Sequence, residues 1–136
     1  MFKKLREQCW KANLELPKLG LVIYTFGNVS SIDRNRGVFA IKPSGVDYDR
    51  MEPKDMVIVG ELRPSSDVNT HLVLYNAFPH IGGIVHTHST HAVAWAQALR
   101  PVPIYGTTHA DHLAGDIPCT PLMADERIAN DYETET

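Results

Sequence analysis

Nothing in this chain of 136 residues approaches the apolar run of about 18 residues that a membrane-spanning helix needs, so no membrane partner is expected. A basic excess is missing too. Thirteen Lys and Arg against 16 Asp and Glu give a net charge of -3, and a pI near 6.1 leaves no electrostatic footprint for nucleic acid. Cysteine is scarce: Cys9 and Cys119 stand apart, without the paired spacing of a zinc knuckle or disulfide framework. They read as reduced thiols of a cytoplasmic protein. Arg6, Glu7 and Lys11 interrupt any apolar segment behind Met1, so no signal peptide is expected. There is no Gly-x-x-x-x-Gly-Lys-Ser/Thr run of a P-loop, no internal repeat and no low-complexity tract. What remains is 43% hydrophobic and 21% charged, the make-up of one ordinary globular domain over residues 1–136.

The most informative feature present is His86-Thr87-His88, directly behind Ile81-Gly82-Gly83-Ile84-Val85. Ile84 to His88 reads as a short strand, whose side chains alternate between faces. His86 and His88 then point the same way. A solvated sheet face can carry such a pair, but two imidazoles with a carboxylate, here Asp67, form a borderline donor set that suits zinc, with manganese or iron as alternatives.

Elsewhere helix and strand patterns alternate. Phe2, Leu5, Cys9, Ala12 and Leu16 recur at helical spacing, predicting a helix over residues 2–15 stopped near Pro17. Leu21 to Phe26 reads as an apolar strand. Val29 to Asp33 and Val38 to Lys42 read as two more, joined by the hairpin signal Arg34-Asn35-Arg36-Gly37, and Met56 to Val59 as a further one. Val68, Leu72, Tyr75 and Phe78 place a helix after Ser66, and His91 to Leu99 another, ended by Arg100-Pro101. Short strands are expected around Tyr105 and Ile117. Hairpins first and helices interleaved later argue for a mixed sheet with helical cover.

Three loops put small polar groups at element ends: Gly27-Asn28-Val29-Ser30, Lys42-Pro43-Ser44-Gly45 and Ser65-Ser66-Asp67. The last opens a helix, whose free N–H groups and partial positive charge attract anions. With Lys42 these loops could hold a phosphate. Each alone could equally be a cap or a turn. Asp111, in Thr107-Thr108-His109-Ala110-Asp111-His112, is a candidate acid/base or a turn residue. His91 reads as helix surface, and His71 and His80 as ordinary exposed or half-buried histidines.

Taken in order, the segments 27–30, 41–46, 64–67, 82–89 and 106–111 resemble the class II aldolase family, most closely its L-ribulose-5-phosphate 4-epimerase branch. The resemblance runs over nearly the whole chain. It implies a three-layer α/β/α fold around a mixed, mostly antiparallel central sheet. It further implies zinc held by His86 and His88, with Asp67 at the metal as a ligand or adjacent acid/base. Asn28, Lys42, Ser44, Gly45, Ser65 and Ser66 would cradle a sugar phosphate, and Asp111 would transfer a proton. Family aldolases tend to carry Glu at the position of Asp67, which tilts the expected activity toward zinc-dependent C4 epimerisation of a pentulose 5-phosphate; cleavage of a ketose 1-phosphate and an inactive remnant are the alternatives. The family assembles as a homotetramer. Its members continue beyond the position of residue 136, supplying a third metal-binding histidine and a C-terminal tyrosine, and have a hairpin where Val59 to Pro64 is short. By that comparison the chain is C-terminally truncated and is expected to be inactive or very weak alone.

Overall fold

The computed structural model describes residues 1–60 and 66–129. Four strands form one sheet in the order β3-β2-β1-β4: β1 (Asn28–Asp33), β2 (Val38–Ile41), β3 (Val57–Val59) and β4 (Gly83–His86). All three ladders are antiparallel. Helix α1 (Lys3–Lys18) covers one face and α2 (Ser66–Ala77) the other; α3 (Thr90–Gln97), α4 (Thr107–His112) and α5 (Asp125–Ala129) follow.

Strand alternation sorts the core into two layers. Val29 and Ala40 face α1, packing with Leu5, Cys9, Leu16 and Met56. Phe39, Ile41 and Val59 face α2, packing with Val68 and Tyr75. The result is helix, sheet, helix, as expected for a class II aldolase-like fold.

Asn13 ties the first helix to the sheet. Its Nδ2 donates to the Val29 carbonyl at 2.9 Å while its Oδ1 accepts from the Val29 N–H at 2.8 Å. A side chain thereby satisfies both backbone groups of a buried strand residue, which an unpaired position there could not leave open. On the opposite side Arg34, in the β1–β2 turn, donates to the carbonyls of Tyr75, Phe78 and Ile81 at 3.3, 3.0 and 2.9 Å. It satisfies carbonyls at the C-terminal end of α2 and just beyond it, groups that a helix end leaves without intrahelical partners.

Several boundaries differ from the expectation. Helix α1 runs through Pro17 and stops at Leu19 and Gly20, where Gly20 adopts φ 67°. A proline in the last turn removes one hydrogen bond, whereas a left-handed glycine ends the ladder. Leu21 to Phe26 is not a strand. Tyr24 sits at φ 53° and Phe26 N–H bonds back to Ile23, so the apolar run folds into a turn. Its Leu21 carbonyl takes the His88 N–H at 3.1 Å. The histidine strand begins at Gly83 and ends at His86, leaving His88 just past it. The strands anticipated near Tyr105 and Ile117 reduce to a single bridge, Val102 to Ile117. Among the described residues no helix is long and apolar enough to cross a membrane.

Candidate active site

A cleft of about 880 Å³ opens where β1, β2 and β4 meet the first turns of α2. Its walls include Phe26, Asn28, Lys42, Ser44, Gly45, Asp67, His71, His86 and His88. Most of the residues singled out from sequence therefore share one concavity.

The sheet register explains the centre. Asn28 and His86 are paired residues of the β1–β4 ladder, so both side chains stand on the α2 side. Asn28 Nδ2 donates to Asp67 Oδ2 at 2.7 Å, and the same carboxylate oxygen lies 3.6 Å from His86 Nδ1. The His86 imidazole, and after it the Asn28 donor, hold the Asp67 carboxyl below its ordinary value despite partial burial. The rings of His86 and His88 are 5.0 Å apart, inclined by 34°. His88 keeps this position outside the strand because its N–H is anchored on Leu21 and its ring stacks on Phe26, 5.3 Å away.

Two imidazoles on one tetrahedral zinc, with Zn–N bonds near 2.0–2.1 Å, would set their ring centres roughly 5 Å apart. The observed pair fits that spacing. Among the described residues, however, no group of three or more His, Cys, Asp or Glu side chains is arranged to hold a cation by itself. Asp67 lies beside the imidazole pair, bonded to Asn28, and does not complete a three-donor cage.

The rim is built by Lys42, Ser44 and Gly45. Lys42 is 6% exposed, and burial lowers its pKa. Its ammonium donates to the carbonyls of Thr25 and Pro43 at 3.0 and 3.3 Å and sits 4.8 Å above the Tyr48 ring. That leaves one of three N–H donors over for an anion. Gly45, at φ 70°, turns the chain where a side chain would be strained.

Asn28 Oδ1 is enclosed with no hydrogen-bond partner among the described residues. The Asp67 charge fixes the carboxamide with its N–H side toward the acid, so this free acceptor awaits a donor from a ligand or solvent. Ser65 and the Ser66 side chain, both expected phosphate contacts, lie outside the described residues, as does most of the short segment before them. Asp111 is exposed on α4 and is not among the residues lining the cleft.

Sequence reasoning passed over two participants. His71 is 2% exposed and lines the cleft, one helical turn after Asp67. That four-residue offset was the available signal. Phe26, expected at the end of a strand, lies in a turn where its ring supports His88.

The fold and this cleft define a class of protein. Residues 7–135 match the family described as Class II Aldolase and Adducin N-terminal domain, and the chain belongs to that family. Among solved structures it is similar to an L-fuculose 1-phosphate aldolase, with 27% identity over 97% of this chain and 68% of that one, TM-score 0.77. It is also similar to the L-fuculose-1-phosphate aldolase of Thermus thermophilus, at 23% identity over 98% and 71%, TM-score 0.76. A third similar structure is YgbL of Escherichia coli, a candidate aldolase/epimerase/decarboxylase, at 25% identity over 98% and 70%, TM-score 0.70.

Proposed function

We propose that this chain carries the substrate- and metal-binding residues of a zinc-dependent sugar-phosphate C4 epimerase, converting L-ribulose 5-phosphate to D-xylulose 5-phosphate by retro-aldol and aldol chemistry. The observation that carries the reading is the convergence of Asp67, His86 and His88 on one cleft whose rim is Lys42, Ser44 and Gly45. A zinc ion between His86 and His88, with its remaining positions completed from outside the described residues, would supply Lewis acidity to the ketose carbonyl.

The remaining chemistry belongs to the side chains. A C4 hydrogen is not acidic, so inversion there requires the C3–C4 bond to break. Loss of the C4 hydroxyl proton drives cleavage, and the C3–C4 electron pair passes to the C2 carbonyl. The aldehyde fragment rotates and the bond re-forms on its other face as the proton returns. Asp67, ionised and oriented by Asn28 and His86, is the near acid/base. Asp111 is the second proton carrier. Exposed on α4, it would serve the cleft of a neighbouring copy in a homotetramer. Lys42, the Ser44 and Gly45 segment, Ser65, Ser66 and the second Asn28 N–H would hold the 5-phosphate at the N-terminal end of α2. Tethering the fragment by its phosphate keeps it in place for rebonding, which separates an epimerase from an aldolase.

The test is to supply the purified chain with zinc and L-ribulose 5-phosphate and follow both D-xylulose 5-phosphate and free glycolaldehyde phosphate. Any turnover should be slow and should give epimer without free aldehyde. Accumulating aldehyde would replace this reading with an aldolase. Replacing His86 and His88 together with alanine should abolish stoichiometric zinc; retained metal would place the cation elsewhere.

A further inference from the structure

Strand β1 and helix α2 are joined across the floor of the cleft by two rungs. Asn28 and Ser30 are two residues apart on β1 and so share a face. Asp67, His71 and Tyr75 follow at four-residue intervals on α2 and share a face too. The first rung is Asn28 to Asp67, 2.7 Å. The second is branched: Ser30 Oγ lies 2.7 Å from His71 Nδ1 and 2.7 Å from Tyr75 Oη. All three second-rung side chains are buried, at 0%, 2% and 1% exposure for Ser30, His71 and Tyr75.

The proton positions in that rung follow from counting donors. Among the described residues, Ser30 Oγ is the one acceptor available to the enclosed Tyr75 hydroxyl. A buried O–H left unbonded is costly, so Tyr75 donates to Ser30. Ser30 has one proton of its own, and it goes to His71 Nδ1. The His71 ring proton must then sit on Nε2. The opposite polarity, with His71 donating through Ser30 to Tyr75, would strand the phenolic hydrogen in the core.

We propose that His71 is a positioning residue: a neutral imidazole locked as its Nε2–H tautomer by the Tyr75–Ser30 chain, which fixes the first turns of α2 against β1 and so sets where Asp67 stands beside His86. It acts through Asp67 and touches no reacting atom. The functional meaning rests on the reading of Asp67 as the near acid/base, but the structural claim does not.

The test is heteronuclear NMR on the metal-free chain. Long-range 15N–1H correlation should show His71 Nδ1 as pyridine-type and Nε2 as pyrrole-type nitrogen. The reverse pattern in the wild-type protein would overturn the assignment. The Asn28 side-chain amide, which donates to Asp67, reports where that carboxylate stands. Ser30→Ala and His71→Leu should each lose the distinct hydrogen-bonded Asn28 amide signal, while His71→Asn, which can accept from Ser30, should restore it. An unaltered Asn28 amide in a folded His71→Leu protein, as judged by its backbone amide dispersion, would refute positioning. Turnover, where present, should fall in kcat with KM little changed for Ser30→Ala. Free glycolaldehyde phosphate accumulating in place of epimer would sink the proposed function and leave the NMR result standing.

Discussion

Asn28 and His86 face each other across the β1–β4 ladder, and the Asp67 carboxylate bridges them, 2.7 Å from the Asn28 amide and 3.6 Å from the His86 ring. One register pairing thus delivers a donor and an imidazole to the same oxygen. A slip of β4 by one residue would turn His86 to the α1 face and part it from Asn28.

Replacing Asn28 with aspartate keeps the shape and reverses the polarity. Two carboxylates within hydrogen-bond distance cannot both ionise readily, so the Asp67 pKa should rise. Since a hydrogen bond to a charged group contributes roughly 1.5–3 kcal/mol, turnover should drop about tenfold or more. The acid limb of its pH profile should also move upward. An unmoved limb in a folded variant would show that Asn28 does not control Asp67.

Stability should decline in acid well before carboxylates titrate. Burial lowers His71 from 6.5 to about 4. Between those values the unfolded chain takes up a proton that the native chain refuses, so stability falls as pH drops from 6.5 to 4 and is flat in this respect above and below. The full effect is of order 3 kcal/mol. Asp67, whose pKa is lowered from 3.8, acts in the same direction but only below that value. Urea unfolding at pH 7, 5.5 and 4.5 measures the slope, which His71→Leu should flatten.

Gly27→Ala should destabilise the fold by roughly 2 kcal/mol. Its φ is +76°, and an added Cβ would meet Val22 Cγ1 at 2.5 Å and the His86 carbonyl at 2.9 Å. Chemical denaturation would reveal the loss. A neutral result would mean that the 22–27 turn readily moves away from the end of β4.

The two thiols should differ sharply in reactivity. Cys9 is fully buried, with its Sγ 3.2 Å from the carbonyls of Val29 and Ala40, and burial pushes its pKa up to about 12. Cys119 is partly exposed. Thiolate is the reactive form, so a thiol reagent should modify one cysteine in the native protein and the second only on unfolding. Prompt modification of both would contradict the packing of α1 on the sheet.

Much of this arrangement could be read from residues alone, for identifiable reasons. The hairpin of β1 and β2 announced itself through the turn signal Arg34-Asn35-Arg36-Gly37, and His86, His88 and Asp67, singled out for their donor chemistry, line one cleft without forming a three-donor cage among the described residues. The run Leu21 to Phe26 misled because composition cannot distinguish a strand from an apolar turn. Its left-handed Tyr24 and its bonds to His88, Lys42 and Tyr48 are set by tertiary contacts. His71, expected to be exposed or half-buried, is buried, because a histidine on a helix carries no local mark of burial. Among the described residues its hydrogen-bond partner is the Ser30 hydroxyl on β1. Asp111, singled out by motif, stands apart from the cleft of its own chain, as position in sequence could not reveal.

The guanidinium of Arg34 gives the design its reach. Because it grips the C-terminal end of α2 and the segment just beyond through three carbonyls while Asn28 holds Asp67 in the first turn, the helix behaves as a beam pinned at both supports. Damage to a solvent-facing β-turn at the opposite rim would therefore surface as a catalytic defect, with every reactive group chemically intact and merely out of true.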